Sequence, residues 1–423
     1  MEPLKKIFTH SRYFIHEMVS RFMFVYLILY ILPFPLSVIP FFGYIYQPLH
    51  VLFASVVDIA GPWILGDYYT LAHIENGSGD TSYKYAEAII LLAVAGIATT
   101  LWMFFDRMRF KERTWSLGLE VLLRYYLAAS LFGYGFSKVI PAQFPLPTIE
   151  MLSRTYGESS PMGLLWTFMG ASPAYTILAG VSEVLAAALL LFRRTTLPGA
   201  ILASFVMANV FALNLFYDVP VKLYSFHLLW MSVFLMVSHG DELLYTWKGK
   251  SLHPVFQGGK RSRLIRLTVK VLLVGVMIIP NLIYVIDQKQ KQASYYMRKD
   301  SIVGEYDVSS FTINNTPLSQ ATDNSRRWKK LLISNSIVQI VYADGFPVSW
   351  YCAIRNGAKK IHVASKDLTT TGEFTFTLHD ESLHLNGLLY QDSIQVTAVR
   401  SSANASLLLG RKFQWITEEP YNR

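Results

Sequence analysis

The amino-acid sequence predicts a polytopic α-helical membrane bundle of about seven spans, followed by a C-terminal extracytoplasmic antiparallel β domain. Three observations carry this. The 423 residues are 52% hydrophobic and only 16% charged, with a mean hydropathy of +0.31, a balance outside that of soluble domains. Up to Ile286 the apolar residues gather in runs long enough for the ~30 Å hydrocarbon core. From Ser301 on, alternation and turn signals replace those runs.

The apolar runs place spans near Phe22–Pro40, Ala86–Phe105, Leu117–Ile140, Ser172–Phe192, Leu197–Leu215, Leu223–Val237 and Leu264–Ile286. A further stretch, Pro48–Leu65, is apolar but holds Asp58, Gly61 and Pro62, and it is expected as a re-entrant or interfacial helix. Phe22–Pro40 follows basic residues, yet it lacks an A-x-A cleavage pattern, so a retained span is expected rather than a removed signal peptide.

Basic residues set the orientation. Lys5, Lys6, Arg12 and Arg21 precede the first span; Arg107, Arg109, Lys111 and Arg113 follow the second; Arg193 and Arg194 close the fourth. Lys248, Lys250, Lys260, Arg261 and Arg263 precede the seventh. All four groups fall on the cytoplasmic side of a seven-span topology. The loops Gly66–Tyr85, Pro141–Ala171 and Tyr217–Lys222 then face outward, with everything after Asp287. The formal charge of +9 is therefore topological, and the lipid bilayer, not nucleic acid, is the expected partner.

The C-terminal part reads differently. Phe374, Phe376 and Leu378 alternate with Glu373, Thr375 and Thr377, a half-buried strand. Asn356-Gly357 and Asn386-Gly387 are hairpin signals. Val338–Tyr342, Ser349–Ile354, Lys360–Ala364, Leu383–Leu389, Ile394–Val399 and Lys412–Ile416 complete a meander. About 120 residues suffice for an independent domain, expected as an open barrel or sandwich. The organisation is thus 1–116, N-terminal helices; 117–240, a four-helix transmembrane unit; 241–290, a cytoplasmic loop and the last span; and 291–423, the β domain, a candidate surface for a periplasmic or membrane protein partner.

Polar residues inside spans are costly and mark candidate sites. Arg124, Leu131 and Lys138 lie at seven-residue intervals on one helical face, with Glu120 one turn before Arg124. Glu183 sits near the middle of the fourth span, and Arg124 is its expected partner. That pair either clamps two helices or orders and protonates a substrate. Lys138, Asn214, Asp218, Lys222 and His227 are expected together near the outer interface, where Lys and His can hydrogen-bond a quinone carbonyl, a lipid head group or a carboxylate. Lysine also snorkels to interfaces without further purpose. Pro141–Ala171 is placed as a lid over the Lys138 end. The ten histidines show no zinc spacing, and no P-loop, dinucleotide fingerprint or nucleophile elbow occurs. The single cysteine, Cys352, excludes an intrachain disulfide, a CxxC motif and a cysteine zinc site.

RYYLAASLFGYGFSKVIPAQFP from Arg124, then GLLWTFMGASPAYTILAGVSEVLAAALLLFRR and LNLFYDVPVKL, resemble the DoxX-like family of bacterial membrane proteins over Leu117–Val237. The whole chain, ending in FQWITEEPYNR, looks like a longer Bacteroidetes-type variant with an added β domain. The resemblance implies a DoxX-like four-helix unit with Arg124, Lys138 and Glu183 as matching positions; with the orientation set by the basic clusters, the expectation is a bacterial inner-membrane protein with a cytoplasmic N-terminus and a periplasmic C-terminal domain. Relatives so named include the quinone-reducing subunit of a thiosulfate:quinone oxidoreductase and a methylamine-utilisation membrane protein; the transmembrane domain of vitamin K-dependent carboxylase is similar more remotely. The implied activity is that of a quinone-interacting component of a membrane oxidoreductase, with electrons delivered by a partner because the chain shows no haem, flavin or iron–sulfur ligands. The alternative is a non-enzymatic envelope scaffold whose β domain binds a partner protein. Quinone is the cofactor the resemblance suggests; none is evident from the residues.

Overall fold

The computed structural model describes residues 2–36, 41–70, 77–105, 112–148, 151–152, 154, 156–240, 260–296, 302–318, 326–334, 337–365, 369, 371–401 and 408. Arg107, Arg109, Lys111, Lys248, Lys250 and the expected strand Lys412–Ile416 lie outside them. The chain divides into two compact units: Met1–Gln143 with Ala174–Gln288, and Phe144–Pro173 with Lys289–Arg423.

The helices are α1 (Glu2–Ile31), α2 (Phe42–Leu65), α3 (Ser82–Phe105), α4 (Glu112–Val139), α5 (Pro161–Ala171), α6 (Pro173–Leu190), α7 (Thr196–Phe216), α8 (Lys222–Ser238) and α9 (Lys260–Tyr296). Among the described residues, Phe42–Tyr68, Ser82–Phe105, Pro173–Leu190 and Arg193–Phe216 are long and apolar enough to cross a membrane, the mark of a membrane protein. The expected re-entrant piece Pro48–Leu65 belongs to an unbroken 24-residue helix, with Pro48 and Pro62 carried inside it. Its Asp58 is satisfied by Tyr69, whose hydroxyl donates at 2.7 Å. The first expected span, Phe22–Pro40, corrects in the other direction: α1 ends at Ile31, because Pro33 and Pro35 lack the N–H that a continuing helix needs.

In the helical unit, α4 turns Leu119, Leu123, Leu127 and Leu131 inward, all at most 1% exposed. This one-in-four stripe packs with Tyr26 and Leu27 of α1, Ala186, Ala187 and Leu190 of α6, Ala203 and Met207 of α7, and Met231 and Leu235 of α8. The small residues on α6 and α7 let backbones approach, which is how helices associate where lipid supplies no hydrophobic contrast.

The second unit contains a closed barrel. Its strands are β1 (Gly304–Ile313), β2 (Thr316–Pro317), β3 (Trp328–Ile333), β4 (Ile337–Tyr342), β5 (Pro347–Arg355), β6 (Lys360–Ala364), β7 (Thr371–His379), β8 (Ser382–Leu389) and β9 (Asp392–Arg400). Sequential antiparallel pairing runs from β3 to β9, and β1 joins β3 on one side and β9 on the other. Eight strands therefore close the ring, with β2 a two-residue strand paired antiparallel to the end of β1. The register runs from Tyr306 opposite Arg400 to Ile313 opposite Ile394. This replaces the expected open barrel or sandwich, and closure removes the free edges that an open sheet would expose.

Side chains alternate across the wall. Trp328, Ile340, Trp350, Ile361, Phe374, Leu385 and Val396 point inward as one core. The space left among them is a cavity of about 10 Å³, barely one water. Asn356-Gly357 lies between β5 and β6 as expected. Asn386-Gly387 does not turn: it lies inside β8, opposite Thr375 and Phe374. A Cβ on Gly387 would lie 2.1 Å from the Glu373 carbonyl oxygen, so glycine is there for close backbone approach. The neighbouring reversals instead use Asp380 and Tyr390, at φ 50° and 55°.

Candidate functional site

The polar centre of the helical unit is built where α4 crosses α6. A Cβ on Gly180 would fall 2.7 Å from the Gly135 carbonyl oxygen and 2.7 Å from Lys138 Cβ. Two glycines at the crossing thus bring the backbones together, and the residues flanking them meet. Lys138 Nζ donates to Glu183 Oε2 at 2.9 Å and lies 2.9 Å from Oε1. Their side chains are 8% and 3% exposed. The Lys138 ammonium also stands 5.5 Å from the centre of the Tyr134 ring, a cation–π contact.

This corrects the expected Arg124–Glu183 pair, and the direction in which helical side chains lean explains the correction. Gly180 lies against Gly135, so on the antiparallel helix Glu183 is level with about residue 132 of α4. Every side chain leans toward the N-terminus of its own helix. Lys138 and Glu183 therefore lean toward one another. Arg124, about 12 Å further along α4, leans away. Its Nε donates instead to the Leu190 carbonyl at 3.0 Å, at the C-terminus of α6. Glu120 Oε1 lies 3.9 Å from Arg124 Nη1 and 3.2 Å from His239 Nε2, beside the end of α8.

The expected outer cluster of Lys138, Asn214, Asp218, Lys222 and His227 separates into parts. Lys138 belongs to Glu183. His227 is 2% exposed; its Nδ1 lies 2.7 Å from the Leu223 carbonyl oxygen, and its Nε2 lies 2.6 Å from the Tyr26 hydroxyl. The Tyr30 ring stacks on the imidazole at 3.8 Å and 7°. Asn214 is buried in the last turn of α7, and its carbonyl accepts from Val219 N at 3.0 Å. Asp218 and Lys222 pair at 2.7 Å, four residues apart around Pro220.

Lys222 also has a partner that sequence reasoning missed. The Asp80 carboxylate accepts from Lys222 N at 2.7 Å and Leu223 N at 2.9 Å, and lies 3.7 Å from Lys222 Nζ. Alongside it, Gly79 N donates to the Pro220 carbonyl at 2.7 Å. The signal was present: Val221 stands at the N-cap of α8 without a side-chain acceptor, so the first amide groups needed an oxygen from elsewhere. Tyr26 was missed too, being one aromatic residue among many.

The site thus contains an ion pair at a helix crossing, a histidine–tyrosine pair in the core and two charged helix ends. Among the described residues no group of histidine, cysteine, aspartate and glutamate side chains could hold a metal ion.

The uncharacterized protein YwoB of Bacillus subtilis (strain 168) is 34% identical to this chain over 118 residues, which cover 28% of this chain and 75% of that protein. The chain belongs to the family of that protein. No family model matches the chain, and no solved structure matches it.

Proposed function

We propose that this protein is a scaffold of the bacterial envelope. In this reading a bundle of about seven spans lies in the inner membrane, and the barrel stands on the periplasmic side for a partner protein. One observation carries it: the groups offered for substrate chemistry are engaged with one another. Lys138 is held by Glu183, and Lys222 by Asp218 and Asp80. The cavity lined by Trp328, Trp350 and Phe374 inside the barrel is only about 10 Å³, so in this reading recognition by the barrel falls to its outside. Phe346, Tyr351, Leu388 and Tyr390 are exposed there, at 68%, 54%, 55% and 61%, and large exposed aromatics are the usual anchors of protein interfaces. The orientation rests on the basic clusters beside the spans.

The test is photo-crosslinking in cells, with a benzophenone amino acid replacing Phe346, Tyr351, Leu388 or Tyr390 in the full-length chain. A discrete heavier adduct from at least one position is expected; no adduct from any of the four would sink the proposal. The DoxX-like resemblance supports a second reading, a quinone-interacting oxidoreductase component, in which Lys138 leaves Glu183 to meet a quinone carbonyl. Thermal stabilisation of the purified protein by a short-chain quinone, abolished by Lys138→Ala, would favour that reading instead.

A further inference from the structure

We propose that Tyr26 and His227 form a redox-active pair within the bundle. One electron leaves the Tyr26 phenol for an outer-sphere one-electron acceptor of the oxidised metal-complex class. The phenolic proton crosses to His227 Nε2. The products are a neutral Tyr26 radical, a His227 imidazolium and the acceptor reduced by one electron, and re-reduction returns the proton to the phenol. No bond between heavy atoms forms or breaks.

The geometry assigns each role. The Leu223 carbonyl can only accept a hydrogen bond, so the 2.7 Å contact fixes the hydrogen of the neutral ring on Nδ1. Nε2 is then the bare nitrogen, and at 2.6 Å it faces the Tyr26 hydroxyl. Phenol donor and imidazole base are therefore aligned before any electron moves. Tyr26 is 1% and His227 2% exposed, so bulk water does not compete for the proton. The Tyr30 ring, stacked at 3.8 Å, keeps the imidazole in plane and offers a π face to the imidazolium once formed. Trp230 lies between the pair and the surface of the bundle: its ring is 5.5 Å from Tyr26 and 6.1 Å from Phe226, which is 44% exposed.

A purely structural tyrosine–histidine bond would hold the helices equally well but would not set the kinetics of oxidation. The test oxidises the full-length protein in detergent micelles with a photogenerated ruthenium(III) polypyridyl complex, and follows tyrosyl radical by transient absorption and electron paramagnetic resonance. The chain has 25 tyrosines, so the informative phase is one whose rate is independent of buffer base concentration. The wild-type protein is expected to show that phase, and Tyr26→Phe to lose it. His227→Gln is expected to slow it by about 100-fold, the contribution typical of a positioned base. Melting curves establish that both variants retain the fold. A wild-type protein whose radical forms only in proportion to buffer base overturns the proposal without any variant. Persistence of the buffer-independent phase in Tyr26→Phe, or an unchanged rate in His227→Gln, overturns it as well.

Discussion

If Lys138 and Glu183 clamp α4 to α6, breaking the pair from one side must cost far more than removing it whole. The ammonium lies 2.9 Å from each carboxylate oxygen. With an effective dielectric of about 20, the gross attraction is roughly 6 kcal/mol. Most of that offsets the loss of hydration by two groups that are almost fully buried. Glu183→Gln removes the attraction and keeps the desolvation of Lys138, so a loss of about 3–5 kcal/mol is expected. That raises the unfolded fraction by roughly two to four powers of ten. The double replacement Lys138→Met with Glu183→Leu removes charge and desolvation together, and should recover most of the loss. The assay is equilibrium unfolding in mixed micelles for the wild type, Glu183→Gln, Lys138→Met, Glu183→Leu and the double variant, the last three combined with the wild type as a double-mutant cycle. A coupling energy below about 0.5 kcal/mol, the scatter of independent sites, would refute the clamp.

Further outcomes follow from the same contacts. Gly180→Ala places a Cβ 2.7 Å from the Gly135 carbonyl oxygen and 2.8 Å from Val139 N; these are backbone atoms, so a loss of roughly 1–3 kcal/mol is expected in the same unfolding assay. Asp80→Ala leaves the Lys222 and Leu223 amides without their acceptor and should cost about 1 kcal/mol, with faster hydrogen exchange at the start of α8 and unchanged exchange in α6. Burial pushes the Cys352 thiol up to about 11, so at pH 8 its thiolate is roughly 100-fold scarcer than that of an ordinary thiol. Alkylation by iodoacetamide should therefore be slow in the native protein, rise as pH climbs toward 11, and accelerate sharply on unfolding; equal native and unfolded rates would contradict this. Gly387→Ala brings a Cβ to 2.1 Å from the Glu373 carbonyl and should disorder the β7–β8 pairing, read as lost near-ultraviolet circular dichroism from Trp328 and Trp350.

The helices were legible because apolar runs leave little choice: α3, α6, α7 and α8 fall within a few residues of their expected bounds. The strands β4 to β9 were legible where alternation is unbroken. β1 and β3 escaped notice for a physical reason: each carries a bulge, between Val308 and Ser310 and between Trp328 and Lys330. A bulge inserts a residue and shifts the inward parity, so buried Val308 is followed by Phe311, and Trp328 by Leu331. Closure was hidden because β1 and β9 pair across most of the domain's sequence, and no local pattern encodes such a partner. At the site, the chemistry-bearing residue types stood out against their apolar surroundings, but their partners did not. Depth along a span predicted Arg124 for Glu183; the lean of side chains on two antiparallel helices selected Lys138.

Two further charges in the bundle obey a simpler rule. Arg124 reaches the last carbonyl of α6. Asp80 receives the first amides of α8. A helix ending in or near a membrane leaves four amides and four carbonyls without intrahelical partners, and no lipid chain can supply them. Cations at carboxyl ends and anions at amino ends also oppose the helix dipole. Arg124 and Asp80 are thus explained by the ends of α6 and α8, and Lys138 and Glu183 by the crossing that two glycines permit. Tyr26 and His227 are the pair for which neither account is enough. Neither caps an end nor carries a formal charge in the neutral tautomer, yet donor and base are aligned at 2.6 Å in the buried core of the unit.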